Sequence, residues 1–364
     1  MTKVLITATR WGHISIAKAI KEVVEKKYQV ELANIEVEPF SKISYHLIYK
    51  FAPNLFKYVF LLSEVKFLRN LFNKYVERDY KAKLESEIKK QKPDIVINVY
   101  FAFNSSLESL RKKYDFRLIN VLADPWTFSQ ILISKSGENL TFDKYSWRKL
   151  KSYEPQAIGS HVGWFTEKKY YEVAKKDRGA IRKRLGLDPN RFTLCIVSGS
   201  EGTFNVFKIL STLLNSKYKM QVTILCGNNN SMLKVVKTLK TLSDKIKGPK
   251  IIGVPYTESM QYYLKAADLV IGKAGPNTLF ETVATLTPFF AISHISGQED
   301  GNLDIIRRYG IGFVEENPRR ATKKLKDIIE KPETLSKFKK NLEILSGYCK
   351  SSEKKLLNVL AIQK

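Results

Sequence analysis

The sequence predicts an α/β protein with two doubly wound parallel sheets. Short apolar runs rich in Val and Ile recur along the chain, segments with helical periodicity separate them, and 364 residues exceed the usual length of one domain. Strands of a parallel sheet are covered by helices on both faces, so they occur in sequence as continuous apolar runs. We expect two domains that face each other, with a ligand cleft at the carboxyl ends of their strands.

The first domain is predicted over residues 1–160. Strands are expected at KVLITAT, QVELANI, DIVINVY and RLINVLAD, and Gly12 opens a helix with its apolar residues on one face. The stretch near 155–165 contains Pro, Gly and Ser without periodicity, so we interpret it as the linker.

A second set of strands predicts the second domain over residues 161–335, at FTLCIVSGS, MQVTILCG, PKIIGVP, ADLVIGKAG and PFFAIS. Helices are expected between these strands, at about 204–215, 230–245, 258–266 and 277–286. Charged amphipathic helices are predicted within 336–364, and we expect them to pack on the first domain.

The charge of the chain predicts a polyanionic partner. The 62 Lys and Arg residues outnumber the 36 Asp and Glu residues and give a net charge of +26. Such a field attracts nucleic acid, anionic lipid headgroups or phosphorylated substrates. The excess is spread over the whole length, densest from Lys42 to Lys92, and no nucleic-acid-binding motif accompanies it, so we expect no nucleic acid partner.

Composition also predicts the compartment. No apolar stretch reaches the roughly 20 residues that span a bilayer, and the first apolar run is too short for a signal peptide. Cys195, Cys226 and Cys349 lack metal-ligand spacing, so we expect free structural thiols and no metal site. The chain is expected to be cytoplasmic.

Two loops after predicted strands carry candidate anion-binding chemistry. In TATRWGH, Gly12 permits a sharp turn and His13 begins the next helix, where the helix dipole lowers the pKa of an imidazole and favours a neutral general base. In SGSEGTFN, Gly199 lets backbone N–H groups approach a phosphate. The alternatives are a capping or packing role for His13 and an ordinary turn at Gly199.

The segment IGKAGPNTLFETVA predicts a nucleotide site. Gly275 and Pro276 end a strand and open a helix, so the N–H groups of Asn277 and Thr278 form a seat for a diphosphate. Glu281, one turn later, offers the two acceptors that a ribose diol requires. The alternative for this glutamate is a solvated side chain on a helix.

A sugar-binding pair follows the next strand, in GQEDGN. Gln298 and Glu299 place an amide beside a carboxylate, which matches ring hydroxyls that both donate and accept. An ordinary polar loop with a helix cap is the alternative. A diphosphate seat, a ribose acceptor and a hydroxyl binder in this order predict a nucleoside diphosphate-sugar as ligand.

Residues 251–314 resemble the donor-binding half of glycosyltransferase family 28, above all its branch of monogalactosyldiacylglycerol synthases and processive diacylglycerol glucosyltransferases. The branch pattern of Lys-Ala-Gly-Pro-Gly-Thr, Glu-Ala and Pro-Gly-Gln-Glu-x-Gly-Asn is matched by Lys273, Ala274, Gly275, Pro276, Thr278, Glu281, Gly297, Gln298, Glu299, Gly301 and Asn302. The first half is similar more loosely, through TATRWGHISIAKAIKE, KPDIVINVY and VLADPWTF. Arg10, Trp11 and Asn277 stand where the family has glycines.

The resemblance implies a GT-B fold with a UDP-hexose donor in the second domain. The positions it implies are Gly253 and Val254 at the uracil, Gly275 to Thr278 at the diphosphate, Glu281 at the ribose, and Gln298 and Glu299 at the hexose. It implies catalytic roles for His13 and Asp124, and inverting transfer to a membrane lipid such as diacylglycerol. Lys273 and helix N–H groups can stabilise the leaving diphosphate, so we expect no metal and no cofactor.

A basic aromatic segment over 44–76 predicts contact with an anionic membrane. Its aromatic and apolar residues alternate with Lys and Arg at helical spacing, as in helices that lie in the bilayer interface. The candidate interface residues are Tyr49, Phe51, Phe56, Lys57, Tyr58, Phe60 and Lys66. We expect peripheral binding to the inner face of the cell membrane; a core helix with a solvated Lys face is the alternative.

Two other functions fit the same pattern. An N-acetylglucosaminyltransferase acting on a polyprenyl-linked sugar also has a glycine-rich first loop before a histidine. A UDP-sugar epimerase shares the architecture, but it needs no lipid-facing helix and consumes its donor without an acceptor.

Overall fold

The computed structural model describes residues 1–10, 12–36, 56–198, 209, 212, 214–215 and 217–362. The chain divides into two compact units. Unit 1 comprises Met1–Glu167, Ile295–Gly301 and Tyr348–Lys364, and unit 2 comprises Lys168–His294 and Asn302–Gly347. Each unit contains a six-stranded parallel sheet, so the predicted α/β class is confirmed.

The sheet of unit 1 has the strand order β2-β1-β3-β4-β5-β6. Its strands are β1 (Lys3–Ala8), β2 (Gln29–Asn34), β3 (Ile95–Asn98), β4 (Arg117–Val121), β5 (Glu138–Thr141) and β6 (Ile158–His161). The four predicted strands are confirmed. The linker interpretation of 155–165 is wrong, because β6 lies within that stretch and pairs with β5. The strands β5 and β6 were not predicted, because their sequences, ENLT and IGSH, lack an apolar run.

The sheet of unit 2 has the order β12-β11-β10-β7-β8-β9. Its strands are β7 (Phe192–Val197), β8 (Met220–Gly227), β9 (Lys250–Pro255), β10 (Leu269–Lys273), β11 (Phe289–Ser293) and β12 (Gly312–Val314). The first five were predicted. The short β12 was not, since three residues carry too little periodicity.

The α-helices connect and cover these strands. Among the described residues they are, in chain order, α1 (Gly12–Val24), α2 (Phe56–Ser63), α3 (Lys66–Gln91), α4 (Asn104–Arg111), α5 (Lys144–Tyr153), α6 (Lys168–Ala174), α7 (Arg178–Arg184), α8 (Asn230–Lys245), α9 (Met260–Ala266), α10 (Pro276–Ala284), α11 (Asp300–Tyr309), α12 (Pro318–Glu330), α13 (Lys339–Lys350) and α14 (Ser352–Ala361). The helices predicted at 230–245, 258–266 and 277–286 correspond to α8, α9 and α10. Most of the helix predicted at 204–215 lies outside the described residues.

The end of the chain is part of unit 1. Arg117 on β4 is buried, and its guanidinium donates to the carbonyl oxygens of Val359 and Ile362 at 2.9 and 2.8 Å. The same guanidinium donates to both carboxylate oxygens of Glu138. A cation that binds the last carbonyls of a helix complements its dipole, so this contact holds α14 on the sheet.

Candidate functional site

In unit 1, His13 lies where the strand order of the sheet reverses. β1 and β3 are neighbours, with β2 on one side of them and β4 on the other, so a crevice opens at their carboxyl ends. His13 is in the first turn of α1, which starts there, and its Nδ1 lies 2.9 Å from the carbonyl oxygen of Val99, directly after β3. A carbonyl only accepts, so Nδ1 carries the proton and Nε2 presents a lone pair.

Burial keeps this imidazole neutral. Desolvation lowers the pKa of His13 to about 4 and outweighs the opposing hydrogen bond to Val99. The ring of Tyr100 lies beside the imidazole, with 4.9 Å between ring centroids. The sequence predicted a lowered pKa from the helix dipole, but its main cause in the folded protein is burial.

His13 and Asp124 line one small pocket in unit 1, together with Phe101, Asn120, Val121, Leu122, Ala123 and Leu132. Asp124 follows β4 and is 5% exposed. The two residues are more than 100 positions apart in sequence, and the parallel sheet brings the loops after β1 and β4 to the same edge. An imidazole with a free lone pair and a carboxylate therefore share a pocket, which suits proton abstraction from a hydroxyl group.

A row of buried asparagines crosses the sheet beneath this pocket. Asn98, Asn120 and Asn139 occupy the same register on β3, β4 and β5, and each is at most 1% exposed. Asn120 donates to Asn139 Oδ1 at 2.9 Å and to the carbonyl of Leu132 in the pocket wall at 3.0 Å. This row was not predicted, although Ile-Asn-Val occurs in both DIVINVY and RLINVLAD and places a polar residue at one position of two apolar strands.

In unit 2, α10 begins at the corresponding reversal of strand order. β7 and β10 are neighbours there, and Gly275, two residues after the end of β10, is the N-cap of α10, with Pro276 in the first turn. The first N–H groups of a helix have no acceptor within it and attract anions. Asn277 and Thr278 are partly buried, and Glu281 lies one turn along, partly buried like them.

The prediction for the donor-binding site also includes Lys273, Gly253, Val254 and Gly199. Lys273 is the last residue of β10 and is partly buried. Gly253 and Val254 lie on β9, and a Cβ at Gly253 would approach Val236 Cγ1 on α8 to 2.9 Å. Helix packing therefore accounts for this glycine without a ligand. Gly199 lies outside the described residues.

Gln298 and Glu299 belong to unit 1. The carbonyl of Gln298 accepts a hydrogen bond from the Thr127 hydroxyl. Glu299 is 3% exposed, and its Oε2 accepts from the backbone N–H of Ile295 at 2.7 Å. One oxygen of this carboxylate thus closes the turn at 295–299, a role that the sequence did not indicate; contact with a hexose stays a prediction.

The helices α2 and α3 and the turn between them form a helical hairpin with an exposed apolar surface. We call it the hairpin surface, and its residues, each at least half exposed, are Tyr58, Leu61, Leu62, Val65, Phe67 and Leu71. Lys57 and Lys66 are exposed on the same two helices. Contiguous exposed apolar residues of this kind indicate an interaction site. Of the other predicted interface residues, Tyr49 and Phe51 lie outside the described residues, and Phe56 and Phe60 lie in α2 with side chains that are not described.

A buried arginine fixes the turn of the hairpin. Arg69 is 8% exposed and donates to the carbonyl oxygens of Ser63 and Glu64 at 3.1 and 3.3 Å. The hydroxyl groups of Ser63 and Ser129 lie 2.9 Å apart. These contacts anchor the hairpin to the segment that leads to Leu132 in the pocket wall.

Across the described residues, every helix is too short or too polar to cross a bilayer. The three cysteines are buried and free, as predicted, and the described side chains include no group of three or more His, Cys, Asp or Glu suited to a metal ion.

Two family models match this chain, one in each half. Residues 193–303 match the glycosyltransferase family 28 C-terminal domain, and residues 13–136 match the monogalactosyldiacylglycerol (MGDG) synthase domain. The processive diacylglycerol beta-glucosyltransferase of Bacillus licheniformis is 24% identical over 352 residues, covering 92% of this chain and 88% of that protein.

Solved structures share the whole fold. Anabaena HepE in complex with UDP-glucose superposes with a TM-score of 0.64 at 12% identity, covering 99% of this chain and 100% of that one. The UDP-GlcNAc 2-epimerase of Neisseria meningitidis bound to UDP-GlcNAc gives 0.64 at 14% identity, with coverage of 99% and 100%. These likenesses confirm the GT-B fold class, with two Rossmann-like domains, and at such identities they concern the fold alone.

Proposed function

Because this chain is a glycosyltransferase of family 28, in the branch of monogalactosyldiacylglycerol synthases and processive diacylglycerol glucosyltransferases, we propose that it transfers a hexose from a UDP-hexose to diacylglycerol. The observation that carries the proposal is the pair of family matches, one in each half of the chain. The relatives named for diacylglycerol support the lipid acceptor, and structural neighbours that hold UDP-glucose or UDP-GlcNAc support the donor.

The donor is bound in unit 2. The diphosphate accepts hydrogen bonds from the first N–H groups of α10, and the Lys273 ammonium adds a positive charge at the end of β10. Glu281, one turn along, accepts from the ribose hydroxyls. These groups stabilise the diphosphate as it leaves, which removes the need for a metal ion.

The proton of the acceptor hydroxyl goes to His13. Its Nδ1 is held by Val99, so Nε2 is the basic atom, and the lowered pKa keeps it unprotonated at neutral pH. Asp124 in the same pocket stabilises the imidazolium that forms. The deprotonated oxygen attacks the anomeric carbon as the diphosphate departs from the opposite side, so an α-linked donor gives a β-linked glycolipid.

The acceptor lies in a membrane, so the enzyme docks there from the cytoplasm. We assign docking to the hairpin surface, whose apolar side chains enter the acyl boundary while Lys57 and Lys66 meet anionic headgroups. The contacts of Arg69 and Ser63 hold these helices in place before the membrane is met.

The test is incubation of the chain with radiolabelled UDP-glucose, UDP-galactose or UDP-N-acetylglucosamine and with vesicles that contain diacylglycerol or a polyprenyl-linked sugar, followed by extraction into organic solvent. We expect label in the organic phase only when diacylglycerol is present, as a β-linked glycolipid by NMR. Label on the polyprenyl acceptor alone would assign the second transferase function. A donor that is consumed or epimerised without any lipid would overturn lipid glycosylation.

A further inference from the structure

Asn98 ends β3, one residue before the carbonyl that contacts His13, and its side chain is fully buried. Its Oδ1 accepts hydrogen bonds from the backbone N–H of Tyr100 at 3.2 Å and from the hydroxyl of Thr7 at 3.1 Å. Its Nδ2 donates to the carbonyl oxygen of Tyr100 at 2.9 Å and to Asn104 Oδ1 at 2.8 Å. The carboxamide therefore holds both backbone polar groups of Tyr100.

The orientation of this carboxamide follows from its partners. The N–H of Tyr100 can only donate, so it must meet Oδ1, and the carbonyl of Tyr100 can only accept, so it must meet Nδ2. Exchanging the two side-chain atoms would break both contacts. A hydrogen bond from an Asn side chain to the N–H two residues later forms a local turn, and here that turn fixes the peptide between Val99 and Tyr100.

The Val99–Tyr100 peptide joins Asn98 to the imidazole of His13. The peptide is trans, and a trans peptide is planar, with its C=O and its N–H on opposite sides. The N–H donates to Asn98 Oδ1, and the carbonyl on the other side lies 2.9 Å from His13 Nδ1. Because the plane is rigid, this carbonyl cannot turn away from His13 unless the hydrogen bond to Asn98 breaks.

The carbonyl of Val99 determines which nitrogen of His13 carries the proton. It accepts only, so Nδ1 is protonated and Nε2 keeps its lone pair. If the carbonyl turned away, the proton could occupy Nε2, and that atom could no longer take a proton from a hydroxyl group. The ring of Tyr100 lies 4.9 Å from the imidazole, centroid to centroid, so Asn98 holds two of the neighbours of His13.

Packing alone does not require a carboxamide at this position. A parallel strand that is covered on both faces is normally apolar, and a buried amide destabilises the fold unless its hydrogen bonds are satisfied. Asn98 is satisfied from two sides, by Thr7 in register on β1 and by Asn104 at the start of α4. What an apolar side chain could not supply is the fixed direction of the Val99–Tyr100 peptide.

We propose that Asn98 is a positioning residue for the base: through the Val99–Tyr100 peptide it keeps the proton of His13 on Nδ1 and leaves Nε2 basic. Asn98 acts through this peptide and not on the substrate. The inference rests on the proposed function and deepens it, since it concerns the proposed base. The position of the proton can nevertheless be measured without any transfer reaction.

The test is NMR of the imidazole nitrogens at neutral pH, in a chain with isotope-labelled histidine and with the His13 signals identified by their loss in His13→Gln. We expect a protonated Nδ1 in the unmodified chain. Asn98→Ala removes the acceptor for the Tyr100 N–H, so the proton should move in part to Nε2. In the transfer assay kcat should fall by about fivefold or more, the factor that one hydrogen bond contributes, and KM for UDP-hexose should stay.

Two further substitutions separate positioning from a structural role. Asn98→Leu fills the same space without an acceptor and serves if the alanine variant does not fold, as followed by thermal melts. Asn98→Ser is the rescue variant, because a serine hydroxyl also accepts from the N–H two residues later, although more weakly than Asn does. It loses the amide donor just as the alanine variant does, so a merely structural role predicts equal defects. Positioning predicts an intermediate tautomer ratio and an intermediate kcat for Asn98→Ser.

The matched control is Asn139→Ala. Asn139 is also fully buried, on β5, and its carboxamide bonds to the backbone of Ser134 and Gly137 and not to Tyr100. This variant should keep the proton of His13 on Nδ1.

Three results overturn the inference: a proton on Nε2 in the unmodified chain, an unchanged tautomer in Asn98→Ala or Asn98→Leu, or equal tautomer ratios in Asn98→Ala and Asn98→Ser. The expected tautomers in a chain that transfers hexose to no lipid would overturn the proposed function instead.

Discussion

The pH dependence of transfer tests the role of His13 most directly. A general base must be unprotonated to act, so the rate follows the neutral fraction of the imidazole. Burial lowers the pKa of His13 to about 4 from the ordinary value of 6.5. At pH 5.5 the neutral fraction is therefore about 97%, against about 9% for an unperturbed histidine.

We expect kcat/KM for UDP-hexose to be nearly constant from pH 7.5 to 5.5 and to fall only as the pH approaches 4. The assay is extraction of labelled glycolipid from vesicles of constant composition. His13→Gln, which preserves polarity without a basic nitrogen, should lower kcat by roughly 100-fold or more at pH 7.5 and abolish the acid limb. Its affinity for UDP should be unchanged, because no donor contact is assigned to His13.

Stability must be followed in the same pH range. The folded pKa lies below the unfolded one, so protonation favours the unfolded state, and stability is fully present above about pH 6.5 and declines as the pH falls towards 4. The decline is on the order of 3 kcal/mol for this group, so circular dichroism should accompany each rate. An acid limb near pH 6.5 in a folded protein would refute the lowered pKa of His13. Full activity of His13→Gln would refute the assignment of His13 as the base.

Two further predictions concern the donor and the membrane. Glu281→Ala should weaken UDP binding by at least roughly 30-fold in calorimetry, because charged hydrogen bonds to the ribose are lost, whereas the exposed Glu258→Ala should leave it unchanged; equal affinities in the two variants would remove the ribose assignment. Phe67→Glu should reduce sedimentation with anionic vesicles by about tenfold through lost apolar burial and added repulsion. Ile344→Glu, on a side chain exposed to 62% against 73% for Phe67, is the control, and equal losses in both variants would argue against the hairpin surface.

The sequence determined the elements whose signal is local. Continuous apolar runs identify strands such as β7 and β10 without further information, because burial on both faces leaves no polar alternation. The turn at Gly275–Pro276 marks the start of α10 by its residue types alone. The family pattern in the second half depends on such local spacing, which is why the family match covers the same segment.

Tertiary structure decided everything that depends on distant residues meeting. His13 and Asp124 share a pocket only because the parallel sheet aligns the loops after β1 and β4, and the low pKa of His13 follows from burial by neighbours that its own segment does not contain. The amide of Asn302 donates to the carbonyl of Ala274, 28 positions earlier, only in the folded chain. Desolvation and hydrogen-bond completion are properties of a folded environment, so residue order alone does not contain them.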